Sequence, residues 1–253
     1  MGYHRAMSHS KDLVPGSRRG AAEFTQTRWS LVVAAKGEDT AAHQALSILC
    51  ESYWYPLYAY ARRQRHSSPD AEDLVQGFFA RLLEKRDIAA ADPVRGKFRA
   101  FLLTAFKHYM ANARKAANAD KRGGGQLLVS IDFEGADQRF GGEPADPRTP
   151  ERAFARNWAC EMLDRSLERV RDDYRARGRG RLLEELEPYL GGEEPPYAQS
   201  AEALGMTEGA VRVAVHRLRR AFREALRLEV AQTVEDPQDV DEELGNLMEA
   251  LAP

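Results

Sequence analysis

Apolar residues recur at three- and four-residue spacing in almost every periodic segment of this chain, which is the mark of helices with one buried face. The sharpest case lies toward the C-terminus. Placing Val211 at zero and advancing about 100° per residue, Val211, Ala214, Val215, Leu218, Ala221, Phe222, Ala225 and Leu226 fall within roughly 140° of arc. Arg212, His216, Arg219, Arg220, Arg223 and Arg227 fall on the other side. One face buries and the other is cationic. Upstream, Gly205 stands where a shorter helix must end, a position that often needs a left-handed backbone, and Thr207 caps the long helix with Glu208 in its first turn. The spacing predicts a helix-turn-helix.

The same periodicity predicts further helices. Residues 43–65 are apolar and aromatic, with Ala45, Leu46, Leu49, Trp54, Leu57, Tyr58 and Ala61, and Pro56 is expected to interrupt and kink the run. Ser68, Pro69 and Asp70 announce a helix over 69–85, with a cap, a proline in the first turn and early acids. Its stripe is Leu74, Val75, Phe78, Phe79, Leu82 and Leu83. A third long helix is expected over Phe98–Ala117 and another from Pro150 to about residue 175. Residues 181–190 form one more, and Val240–Leu251 a small acidic amphipathic helix. The folded part is expected to begin at 29–35, and the stretch before residue 26 to be disordered. Between 118 and 150, Gly123–Gly125, Gly141, Gly142, Pro144, Pro147 and Pro150 interrupt any helix, and Asp132, Glu134, Asp137, Glu143 and Asp146 make the stretch acidic. It reads as a linker with a short extended piece at 127–131. The predicted fold is all-α: a domain over 26–120, a flexible acidic linker over 121–150, a helix-turn-helix domain over 151–234 and an acidic extension over 235–253.

Charge placement alters the picture more than its total. The 253 residues hold 37 Lys and Arg against 39 Asp and Glu, a net charge of −2. Residues 95–122 nevertheless hold eight bases against Asp120 alone, and 233–253 hold seven acids and no base. Two basic patches are therefore masked in the sum by an acidic tail. Cys50 and Cys160 stand far apart and the six histidines have no ligand spacing, so neither a disulfide framework nor a metal site is expected, and no cofactor. A run of about 20 apolar residues, as a membrane span requires, is not present, and the N-terminal residues do not read as a secretion signal. Phosphate-binding glycine loops ending in Lys-Ser/Thr, nucleophile elbows and HExxH are also absent, which argues against an enzyme.

Basic side chains beside aromatics suit single-stranded DNA, whose bases stack while its phosphates are neutralised. The candidates are Lys97, Arg99, Phe101, Lys107, His108, Asn112, Arg114 and Lys115. For duplex DNA the candidates cluster on the long C-terminal helix: Thr207, Glu208 and Gly209 at its start, then Arg212, His216, Arg217, Arg219, Arg220 and Arg223. Arg212 is the expected reader of a base edge; Arg219, Arg220 and Arg223 are expected on phosphates.

The order of motifs is an aromatic helix, DAEDLVQ from Asp70, a basic and aromatic helix, an acidic linker, and a helix-turn-helix with VRVAVHRLRR from Val211. This resembles the extracytoplasmic-function sigma factors of bacterial RNA polymerase, over 46–122 and 154–234. The resemblance implies that Asp70, Glu72, Asp73, Leu74 and Gln76 grip the clamp of core RNA polymerase. It implies that residues 98–115 melt and read the promoter element nearest the start site. It also implies that Ala201, Leu204, Gly205, Val211, Arg217 and Arg219 frame recognition of the upstream element. The partners would be core RNA polymerase, promoter DNA and an anti-sigma factor or other regulator, in the bacterial cytoplasm. The chain departs from the family at Phe101, where tryptophan is usual, and at Gln199–Ser200, in place of Glu-Ile. Two rivals stay open: a stand-alone helix-turn-helix regulator, and a sigma-mimicking interaction protein. The tail is expected to shield the basic recognition face or to contact a regulator.

Overall fold

The computed structural model describes residues 40–85, 97–117, 131–143, 149–192 and 194–252. The predicted start of the fold at 29–35, the disordered N-terminus and most of the extended piece at 127–131 lie outside them. Helices run in the order α1 (Thr40–Glu51), α2 (Trp54–Arg63), α3 (Ser68–Lys85), α4 (Phe98–Ala117), α5 (Ala136–Gly142), α6 (Pro150–Ala176), α7 (Gly180–Leu186), α8 (Tyr197–Leu204), α9 (Glu208–Ala231) and α10 (Val240–Leu251). Short 3₁₀ turns follow α7 and precede α10. Among the described residues there is no strand, and the one isolated bridge pairs Lys97 with Val234.

Local sequence sets most boundaries. Pro56 does not kink one long helix. The chain breaks at Ser52 and Tyr53, and Pro56 falls in the first turn of α2, where a missing N–H costs nothing. The α3 cap is Ser67, one residue earlier than expected: its hydroxyl accepts from Asp70 N at 3.3 Å and donates to the Asp70 carboxylate at 2.6 Å. Thr149 caps α6, accepting from Arg152 N at 3.3 Å, and Pro150 fills the first turn.

Two hydrophobic cores form, and α6 and α9 run through both. The first gathers α2, α3 and α4, with Phe79, Phe98, Leu102 and Phe106 fully buried. The α4 stripe Phe98, Leu102, Phe106 and Met110 repeats every fourth residue and faces this core. Phe106 meets Phe78 edge-on, centroids 5.1 Å apart. Phe154, Trp158, Ala159 and Met162 of α6 join the same core. So do Val230, Ala231 and Val234 at the end of α9, and Val240 and Leu247 of α10. The second core holds Val170, Leu183, Leu186, Tyr189, Ala201, Val211, Val215, Leu218 and Ala225.

This arrangement differs from two domains on a tether. A helix of 27 residues spans about 40 Å, enough for α6 to contribute Trp158 to one core and Val170 to the other. The described part of the expected linker is also built in. Residues 136–142 form α5, Ala136 is buried, and Arg139 lies over the Tyr55 ring at 3.6 Å. Its carboxylates account for the placement: Asp137 pairs with Arg62, and Glu143 with Arg63 at 2.8 Å.

Candidate polymerase and nucleic-acid interface

Three surfaces carry the predicted residues, and their states differ. On α3, Asp70 and Asp73 are exposed, while Glu72, Leu74 and Gln76 are half-buried. Leu74 packs against the first core. Glu72 accepts from the Ser68 hydroxyl at 3.1 Å, and Asp70 belongs to the Ser67 cap. Two of the three acids thus also serve the helix start, leaving Asp73 as the carboxylate committed to solvent on this face.

On α4 the residues divide along the helix. His108, Asn112 and Arg114 are exposed; nothing is described of the Lys115 side chain. Phe101 is half-buried against the first core, its ring 6.3 Å from that of Phe98. The three cations nearer the start are paired. Lys97 binds Glu242 at 2.5 Å and lies 3.4 Å from Glu243. Arg99 donates from Nε and Nη2 to the two oxygens of Glu243 and stacks 4.7 Å from the centre of the Trp158 ring. Lys107 binds Glu151 of α6 at 2.6 Å, which raises the Lys107 ammonium and lowers the Glu151 carboxyl from their ordinary values. The pairing carboxylates all come from the C-terminal half of the chain.

On α8 and α9 the helix-turn-helix has its expected build. Gly205 takes φ +64°, the left-handed value that ends α8, and Met206 N donates back to Ala201 O at 2.9 Å. Thr207 caps α9, accepting from Ala210 N at 3.2 Å. Val211, Val215 and Leu218 are buried beneath it. Glu208, Gly209, Arg212, His216, Arg217, Arg220 and Arg223 are exposed. Val213, also exposed at 51 %, lies among them and was missed by the arc reading, which sorted residues into apolar and basic sets. Arg212 is lightly held, 3.6 Å from Glu208 and 5.1 Å from the centre of the Tyr197 ring. Arg220 pairs with Glu224 at 2.8 Å on the surface.

Arg219 is placed differently from its neighbours. It donates to the Tyr189 carbonyl from Nη2 at 3.0 Å and Nε at 3.3 Å, and pairs with Glu194. It clamps the turn that follows α7 onto α9. The departure at Gln199–Ser200 also has a local account: Gln199 is exposed, while Ser200 is fully buried and shares a hydrogen bond of 3.1 Å with the Tyr189 hydroxyl.

The acidic tail does not cover this recognition face. Helix α10 lies on the first core instead, and Arg227, near the end of α9, is the α9 arginine that meets it, through Asp241. Among the described residues no helix is long and apolar enough to cross a membrane.

Residues 49–119, spanning the end of α1 through α4, match the family model described as Sigma-70 region 2. Over these residues the chain is similar to the sigma-70 region 2 domain, and that likeness supports a sigma factor concerned with RNA polymerase binding and promoter melting. No curated protein and no solved structure matches the chain.

Proposed function

We propose that the chain is a promoter-specificity subunit of the extracytoplasmic-function type, acting in the bacterial cytoplasm. Core RNA polymerase supplies the catalysis; this chain supplies recognition and helps open the DNA. The α3 face with Asp70, Glu72, Asp73, Leu74 and Gln76 docks on the polymerase clamp. The basic side of α4 takes the melted strand near the start site, and α9 lies in the major groove of the upstream element. The observation that carries this reading is the region 2 match over residues 49–119. An exposed cationic face on a capped helix-turn-helix in the same chain supports it.

The test is co-elution of the purified chain with core RNA polymerase, followed by promoter-dependent transcription. Both should occur, and both should be lost in Asp73→Lys. Asp73 is the cleaner site for charge reversal, because Asp70→Lys would also remove the Ser67 cap interaction. Co-elution without initiation would favour a sigma-mimicking interaction protein. No co-elution, with specific duplex binding by the free chain, would make it a stand-alone regulator.

A further inference from the structure

The contact between α10 and the start of α4 is more elaborate than a tail resting on a basic patch. Glu243 is wholly buried, and an ionised carboxylate survives there only if it is fully paired. Its partners come from two elements: Arg99 grips both oxygens, Lys97 approaches to 3.4 Å, and Asn246 of α10 itself donates at 2.9 Å. Glu242 holds Lys97 from the solvent side. The backbone adds a second layer. Phe98 N donates to Thr233 O at 3.0 Å, and Lys97 bridges to Val234, so the segment joining α9 to α10 is stitched onto the first turn of α4. Val240 and Leu247 anchor α10 beneath these pairs in the first core.

The chemistry offered to Glu243 is the chemistry that arginine offers to a nucleic-acid phosphate. A guanidinium fork with a neighbouring ammonium binds either anion in the same two-point manner. We propose that α10 is an intramolecular acidic clasp. Its carboxylates take the place at Lys97 and Arg99 that DNA phosphate takes in the working state, and nucleic acid engages the start of α4 only when α10 lifts. This rests on reading α4 as the strand-contacting helix of the proposed function. The clasp also fixes the end of α9 against the region 2 core, so lifting it frees the helix-turn-helix relative to α4.

The clasp is tested on the free full-length chain with a fluorescein-labelled single-stranded oligonucleotide across a salt series. Glu242→Gln with Glu243→Gln keeps shape and removes the competing charge. The double variant should bind about five- to tenfold tighter, and its salt slope should steepen by about one to two phosphates' worth. Adding Arg99→Ala should abolish the gain. Glu249→Gln, a one-charge change at an exposed position of α10 that matches Glu242→Gln alone, should leave affinity where it was. A folded double variant with unchanged affinity would overturn the clasp, as would an equal gain in Glu249→Gln, which would reduce the effect to overall charge. If the double variant does not fold, Glu242→Gln alone decides, because Glu242 is largely exposed and touches Lys97: it should bind more tightly than the unaltered chain, and no gain overturns the proposal. Co-elution with core polymerase reads the proposed function separately. Co-elution with no strand binding by any variant would discard the clasp and leave the sigma reading standing.

Discussion

The basic faces of α4 and α9 look alike in sequence and are opposite in state. On α4, Lys97, Arg99 and Lys107 are each tied to a carboxylate from α6 or α10. On α9, Arg212, His216, Arg217 and Arg223 face solvent. The difference arises from what lies behind each helix. The first core recruits α6, the end of α9 and α10 as well as the region 2 helices, and these bring acids to the α4 surface. The second core closes with α7 and α8 on one side of α9 and leaves its other side bare. A cationic helix face thus reports a binding surface only once its neighbours are known.

The comparison breaks most completely at Trp158. Its ring is fully buried in the first core and carries Arg99 on its face. Trp158→Ala should destabilise the protein by about 3–5 kcal/mol, read as a shift in the denaturant midpoint at unchanged slope. It should loosen α10 from α4 while the helix-turn-helix keeps its fold. A loss under about 1 kcal/mol would mean that α6 is not the shared support described above.

Much of this fold was legible. The bounds of α4 and α10, the capped start of α9 and the glycine ending α8 follow from periodicity and local chemistry. The α9 arc separated Val211, Val215, Leu218 and Ala225 from the arginines, and those four are buried. Long-range assembly was not legible. The glycines and prolines gathered over 118–150 suggested a tether, yet Asp137 and Glu143 find Arg62 and Arg63 some 75 to 80 residues away. No local pattern encodes such pairs. The acidic tail was visible as charge, but its target was not, because Lys97 and Arg99 look as available in sequence as Arg220 and Arg223. Arg219 is an intermediate case. It lies only about 20° beyond Leu226 on the helical wheel, so its position at the edge of the buried arc was a readable sign that it would turn inward.

Substitutions on α9 sharpen the open side of the comparison. Arg212→Ala should cost about 1–3 kcal/mol against one base pair of the preferred element and little against others. Arg220→Ala should weaken binding to all sequences about equally and lower the salt slope by about one. Both are read from binding isotherms on a panel of single-base variants, with polymerase present. Arg219→Ala should behave differently from either. It removes two bonds to the Tyr189 carbonyl, so it should lower the stability of the helix-turn-helix by about 1–2 kcal/mol before any effect on DNA is considered. Uniform loss of affinity at unchanged stability would return Arg219 to the phosphate-binding set.

The smallest effect lies at the Lys107–Glu151 pair, and it tests whether the covered side of α4 is held by charge at all. The hydrogen bond from Lys107 lowers the Glu151 carboxyl below its ordinary value of 4.5. That contribution is complete above the ordinary value and is lost as pH falls through the lowered one. The bond to Glu151 likewise raises Lys107 above its ordinary 10.5, so its share fades only as pH rises through the raised value. Both side chains are more than a third exposed, so solvent screening holds the pair to about 0.5 kcal/mol or less. Glu161, on the same helix, works in the opposite sense: burial raises its carboxyl, and acid relieves the strain of holding it charged. The bare pH profile of the protein therefore mixes two opposed slopes, and a variant is needed to separate them. Lys107→Met should be slightly less stable than the unaltered protein near neutral pH, and the gap should close as pH falls through the lowered Glu151 value, below which Glu151 is protonated in both. A gap that persists into acid would show that Lys107 supports α4 through its ammonium over the Tyr60 ring, 5.7 Å from the ring centre, and not through Glu151. The charge-based account of the covered face would then rest on Lys97 and Arg99 alone.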